Sequence, residues 1–306
     1  MFAAKNAPRQ VPKGYLGFSY IHTEGQTLVY KLTYSTDLIT TNTATNSNNV
    51  RWACAWANFI NCFFRGGIGS GHFFKAKWTL ANDTVTTGSY AYSFGECCAS
   101  TNPTTALVFS CIQGSTLDTS TTLFTIAAET EVSNTGFSPA RSDGTSMGNG
   151  VTAFLVGGST TVFLTNCPIS QYFWSTAAMT NSTVINPRTS QGSSVGTQSF
   201  GVMMHGRQDA VTFSATNALL NYQTVATTNV HSLPAVRIKT GCHTSLVAGY
   251  ASLGSSGTTT GTTSSYKLNL AAMATSTSTW QTLTAGPAGS DGTFAASFGH
   301  MPHHMS

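Results

Sequence analysis

A short apolar strand ending in glycine returns along this chain at nearly fixed intervals, and that regularity limits the possible folds more than any other feature. The copies are CFFRG to Gly66, FSCIQG to Gly114, FLVGG to Gly158, VMMHG to Gly206 and YASLG to Gly254, stepped by 48, 44, 48 and 48 residues. Aromatic-bearing strands of alternating character run between and around these glycines: VYKLTYS (29–35), FFKAKWT (73–79), TLFTIAA (122–128), YFWSTAA (172–178), VTFSATN (211–217) and SYKLNLA (265–271). Each is followed by a Thr/Ser/Val stretch such as TVTTGSY or EVSNTG. A strand of small residues then precedes the next apolar one: RWACAWAN, FGECCAS, the 141–150 segment, SSVGTQ, KTGCHTS and FAASFGH.

Each period of about 48 residues therefore holds four short strands, here called a, b, c and d, which is the signature of a β-propeller blade. The small residues of strand a suit the position nearest the axis, where blades converge. The apolar b strand fills the space between blades, and the Thr-rich c and d strands face progressively outward. The chain opens with a b-type strand, GYLGFSYI, and stops after an a-type strand, FAASFGH. Five complete sets lie between, so the two ends supply a sixth blade and close the ring without an open edge. The expectation is an all-β, six-bladed propeller of four-stranded blades over residues 13–306. Its closure pairs the strand at 294–299 with the strand at 15–21.

Composition agrees. Of 306 residues only 8% are charged, against about 25% in an ordinary soluble domain, yet 41% are hydrophobic and 11% aromatic. That balance excludes intrinsic disorder, and no apolar run approaches the roughly 20 residues of a spanning helix. The net charge of +4 is spread too thinly for a nucleic-acid-binding stripe. The alternating pairs Lys75/Lys77 and Arg237/Lys239 read as exposed strand faces. The first 15 residues lack the apolar core of a secretory signal, which fits assembly inside a cell followed by release. Residues 1–12, with two prolines and no place in the repeat, are expected to extend along a neighbouring subunit.

The seven cysteines contain no zinc-type spacing. A hairpin turning at Asn58 sets Cys54 opposite Cys62, and one around Asn102-Pro103 brings Cys98 towards Cys111. Each pair is a candidate disulfide, with burial as small hydrophobic groups the alternative. His300, His303 and His304 cluster in the tail, where metal capture would be adventitious, and His205 and His243 read as packing residues. No metal and no cofactor are expected. Most acidic residues fall at turns or strand ends. Glu96 is the one carboxylate placed near the axis, whereas a glycosidase needs a flanking pair. Glu129 and Glu131 alternate on one strand face and are expected to be solvated.

The b–c connections are long at 159–170 and 255–264 and short around 207–210, and they emerge on the same face as the d–a loops. Variable loops on a rigid scaffold are the usual place for binding. Candidate contact residues on this face are Asn166, Gln171, Thr259, Thr262, Arg65 and Arg207. The Thr/Ser/Asn/Gln composition suits hydrogen bonding to uncharged partners such as glycans.

Some blades carry a further pattern. Tyr30–Asp37 closely matches the element Lys-Tyr-Thr-Tyr-Ser-Gly-Asp, Val50–Ala57 loosely matches Arg-Tyr-Gly-Leu-Ala-Ala-Ala, and Phe63–Gly67 matches Arg-Gly-Ile-Phe-Gly-Gly-Gly. In this the chain resembles a tandem-repeat family of bacteriophage structural and tail-fibre-like proteins. The layout is kelch-like, with double glycines kept at Gly66-Gly67 and Gly157-Gly158. The resemblance implies a non-enzymatic virion structural protein: a tail, neck, fibre or capsid appendage, assembled in the host cytoplasm and present in several copies per particle. It would dock other virion proteins and recognise host surface glycans, with no nucleic acid and no membrane insertion. Two other readings stay open: a secreted or virion-associated carbohydrate-active enzyme on a propeller, and a cellular kelch-like protein-interaction module.

Overall fold

Runs rich in Thr, Val and aromatic residues, broken every few positions by Asn, Gly or Pro, favour short strands over helices, and strands are what form. The structure, a computed structural model, describes residues 13–17, 20–21, 24–25, 29–41, 54–58, 60–65, 74–89, 97–109, 112–113, 116–134, 136–137, 139–160, 168–184, 192–204, 206–207, 213–214, 216–230, 232, 241–245, 248–252, 265–270, 280–283 and 296–299. Among these, the strands build six four-stranded antiparallel sheets, and no helix occurs.

In the order a, b, c, d, blade 1 is Ala296–Gly299, Lys13–Gly17, Val29–Thr33 and Leu38–Thr41. Blade 2 is Cys54–Ala57, Asn61–Arg65, Phe74–Thr79 and Thr84–Ser89. Blade 3 is Cys98–Thr101, Thr105–Phe109, Thr121–Thr125 and Thr130–Asn134. Blade 4 is Thr145–Gly148, Thr152–Val156, Pro168–Phe173 and Ala178–Val184. Blade 5 is Ser193–Gly196, Phe200–Met204, Asn217–Asn221 and Thr227–Val230. Blade 6 is Gly241–Thr244, Ala248–Ser252, Ser265–Asn269 and Trp280–Thr282.

The a strands of successive blades lie against one another right round the ring, including blade 6 against blade 1. The protein is therefore a six-bladed β-propeller. Its chain ends meet as expected, with Gly14 opposite Gly299 and Gly17 opposite Ala296.

Side chains alternate between the two faces of each blade, so the b strands of blades 3 to 6 each feed two inter-blade cores. In blade 3, Ala106 and Val108 pack with Trp56 and Phe63 of blade 2, while Leu107 and Phe109 pack with Ala153 and Leu155 of blade 4. Phe154 and Val156 then meet Met203 and Leu220 of blade 5, and Val202 and Met204 meet Tyr266 and Leu268 of blade 6. Ala248 and Tyr250 meet Leu32 and Tyr34 of blade 1.

The second residue of every b strand is small: Gly14, Cys62, Ala106, Ala153, Gly201 and Gly249. The reason is the preceding blade's a strand. A Cβ on Gly249 would stand 2.6 Å from Val195, and one on Gly201 would collide with the Met147 sulfur.

Three elements differ from the sequence expectation. The b strand of blade 3 ends at Phe109, and FSCIQG runs on into a two-residue hairpin, Ile112–Gln113 with Thr116–Leu117. The c strand of blade 5 is Asn217–Asn221, displaced from 211–217 by a second hairpin of Gly206–Arg207 with Phe213–Ser214. The b–c connection of blade 5 consequently fills 205–216 and is not short. In blade 4 the c strand starts at Pro168, ahead of 172–178.

The cysteine register also differs. Cys54 lies opposite Arg65 and Cys62 opposite Ala57, because four residues, 58–61, separate the paired Ala57 and Cys62, so Cys54 and Cys62 do not face each other. Cys98 lies opposite Phe109, and Cys111 is outside the described residues.

Candidate binding surfaces and the central channel

The turns between strands a and b share one device. Asn58 Oδ1 accepts the backbone N–H groups of Ile60 (2.9 Å) and Asn61 (2.7 Å), and Asn102 and Asn149 do the same for the turns that follow them. Thr197 and Ser245 repeat the cap with hydroxyls. Such caps satisfy turn donors that would otherwise lack partners. This column of Asn58, Asn102, Asn149, Thr197 and Ser245 recurs in the sequence at blade spacing.

Strand c to strand d turns carry a second column. Asp37, Asp83, Glu129, Ala177 and Val225 all adopt left-handed backbone, with φ between 53° and 57°. Where the residue is acidic, it reaches the preceding blade. Lys267 of blade 6 bonds Asp37 of blade 1, Lys13 and Lys31 of blade 1 bond Asp83 of blade 2, and Lys75 and Lys77 of blade 2 bond Glu129 of blade 3. Lys75 and Lys77 thus tie blades together and do not form an exposed strand face. Glu129 is correspondingly not a free solvated carboxylate. Burial by itself would raise its pKa, but the hydrogen bonds and charges of Lys75 and Lys77 hold it below the ordinary carboxylate range.

Glu131 is likewise withdrawn from solvent. It pairs with Arg65, whose side chain is fully buried between blades 2 and 3 and also donates to Thr122 Oγ1 at 3.1 Å. A second buried arginine, Arg141, donates to the Leu155 carbonyl (3.1 Å) and to Ser170 Oγ (2.9 Å), with its guanidinium over the Phe137 ring.

The channel wall is built from the a strands. Ser146 Oγ donates to the Ala99 carbonyl and Ser194 Oγ to the Ser146 carbonyl, both at 2.6 Å, so equivalent serines link blades 3, 4 and 5. A cavity of about 50 Å³ lies beside them, lined among others by Ser100, Met147, Gly196, Tyr222 and Thr244. Burial pushes the Tyr222 phenol strongly up, so it stays a neutral hydrogen-bonding group there. The wall offers hydroxyls and carbonyls to uncharged groups.

The structure does not gather the candidate contact residues into one site. Arg65 is buried in its ion pair. Gln171 sits within the c strand of blade 4, opposite Phe154 and Thr180, at the position held by Lys31, Lys77 and Lys267 in other blades. Arg207 belongs to the hairpin that extends the blade 5 b–c loop. Asn166, Thr259, Thr262, Glu96, the tail histidines and residues 1–12 lie outside the described residues. Among the described residues, no group of three potential metal ligands occurs, and no helix is long and apolar enough to cross a membrane.

No protein-family model matches the chain, and no curated protein does. Solved structures do: the one titled "Structure of YjhT" is similar over 90% of this chain and 98% of its own, with a TM-score of 0.70 at 12% identity. A likeness at that identity defines the class, a β-propeller, and goes no further.

Proposed function

We propose that this chain is a non-enzymatic structural protein of a bacteriophage virion, an appendage of tail, neck, fibre or capsid that docks other virion proteins and contacts uncharged glycans of the host surface. The observation that carries the reading is the use made of the carboxylates. Asp37, Asp83, Glu129 and Glu131 are spent on blade-to-blade ties, and Asp118 caps its own loop through Ser120. A ring tied in this way is a rigid platform for loops. The repeat resemblance of Tyr30–Asp37 and Phe63–Gly67 supplies the virion assignment.

The test is quantitative mass spectrometry across a density gradient of purified particles from cells that express the chain. Co-sedimentation at a fixed ratio to the other particle proteins is expected. Presence in the lysate with absence from intact particles would overturn the proposal.

A further inference from the structure

Seven cysteines in a chain with no zinc pattern call for a reason, and two of them meet where the sequence does not predict it. Cys54 opens the a strand of blade 2, and Cys97 immediately precedes the a strand of blade 3. Their sulfurs lie 2.9 Å apart in the inter-blade core, both side chains buried beside Trp56 and Phe63. Two thiols at that separation are nearer than ordinary non-bonded sulfurs and need to close to about 2.05 Å to bond. The neighbours are fixed by other contacts. Cys97 lies within 3.7 Å of the Arg65 carbonyl, and Arg65 is held by Glu131 and Thr122.

We propose that Cys54 and Cys97 are a redox pair that forms a reversible disulfide between blades 2 and 3. The partner considered for Cys54 from sequence, Cys62, is not placed for this: Cys62 lies opposite Ala57, and Cys54 opposite Arg65. Burial raises the Cys54 thiol, while the hydrogen bond shared by the two sulfurs and the Arg65 charge favour ionisation of Cys97, so the first attack is assigned to Cys97.

The oxidant is a peroxide, small enough to reach a buried thiol. The Cys97 thiolate attacks one peroxide oxygen, the O–O bond breaks, and Cys97 becomes a sulfenic acid as hydroxide leaves. The Cys54 sulfur then attacks the Cys97 sulfur. The S–S bond forms, the S–O bond breaks, and the departing hydroxide takes the Cys54 proton as water. A thiol reductant reverses the linkage. The cross-link closes a loop of about 44 residues in the unfolded chain, which by loop-closure entropy raises the thermal midpoint by about 5 °C. The inference stands on blade geometry and is independent of the virion assignment.

The full chain is treated with hydrogen peroxide, free thiols are blocked, and the proteolysed protein is mapped by mass spectrometry alongside thermal melting. A Cys54–Cys97 cross-linked peptide, lighter by two hydrogens, is expected together with the rise in midpoint and its reversal by reductant. Cys98→Ser should keep the cross-link, and Cys97→Ser and Cys54→Ser should each lose it. Mapping of the unsubstituted chain decides the matter even if a variant folds poorly. Cys54 linked to any other cysteine, or Cys54 and Cys97 both still free while other thiols of the chain have reacted, would overturn the proposal.

Discussion

Lys267 Nζ lies 2.7 Å from Asp37 Oδ2, joining residues 230 apart in sequence but adjacent in the ring. The contact binds the last complete blade to the first, and the Tyr250 hydroxyl adds a bond to Asp37 Oδ1 at 3.0 Å. It reinforces closure at the seam where the chain ends meet. Burial and the Asp37 carboxylate both push the Tyr250 phenol up, so it remains a donor throughout the physiological range. Asp37→Asn should cost about 1 kcal/mol, because the pair is partly exposed and screened. In about 1 M salt, where the Debye length is about 3 Å, the difference between variant and parent should shrink. Chemical denaturation at two ionic strengths checks both points.

Glu129 sets the acid sensitivity of the boundary between blades 2 and 3. Its folded pKa is depressed, so its contribution is present above the unfolded carboxyl pKa and lost as pH falls through the depressed folded value. Stability should therefore decline below about pH 4.5, and Glu129→Gln should flatten that decline while lowering stability at neutral pH. Thermal midpoints measured from neutral pH down to the acid limb would reveal it.

Arg65 and Glu131 test a different balance, since both side chains are nearly or fully buried. Removing one partner of a buried pair leaves an uncompensated charge, so Glu131→Gln should cost about 3 kcal/mol. Replacing both at once, as Arg65→Met with Glu131→Leu, should fall within about 1 kcal/mol of the parent. Denaturant titration of the single and double variants separates desolvation from attraction.

These relationships mark how far the sequence could be read. The blade count, strand order and clasp were legible because glycine-ended b strands and small-residue a strands recur at a period that only a ring of four-stranded sheets satisfies. The displaced c strand of blade 5 was not, because VTFSATN alternates as well as NALLN does, and the hairpin pairing Gly206–Arg207 with Phe213–Ser214 has too little pattern of its own. The ion pairs of Lys75 and Lys77 were missed for a physical reason. Alternation says that two lysines share a face, but not that the face meets the next blade. The same gap put Cys54 opposite Cys62, when the hairpin is centred beyond Asn58 and the true neighbour comes from blade 3.

Once the blades are aligned, a pairing rule becomes visible and can be tested by transplanting it. Lys267, Lys31 and Lys77 each meet an acid in the next blade, while blades 4 and 5 carry Gln171 and Val225 at those two positions. Val225 also holds a left-handed backbone that suits Asp better than a β-branched residue. Gln171→Lys combined with Val225→Asp should be more stable than the two single changes predict, with a coupling of about 0.5 kcal/mol. A double-mutant cycle measures it, and zero coupling would break the rule.

One ring of six blades is held shut where Ala296–Gly299 pairs with Lys13–Gly17. Removing residues 296–306 takes away the innermost strand of blade 1 and exposes the edges of Lys13–Gly17 and its neighbours. Thermal unfolding of the truncated chain, followed by calorimetry against the full chain, tests this most directly. A midpoint lower by roughly 10 °C, or a loss of the single cooperative transition, is expected. An unchanged midpoint and an unchanged enthalpy would contradict it.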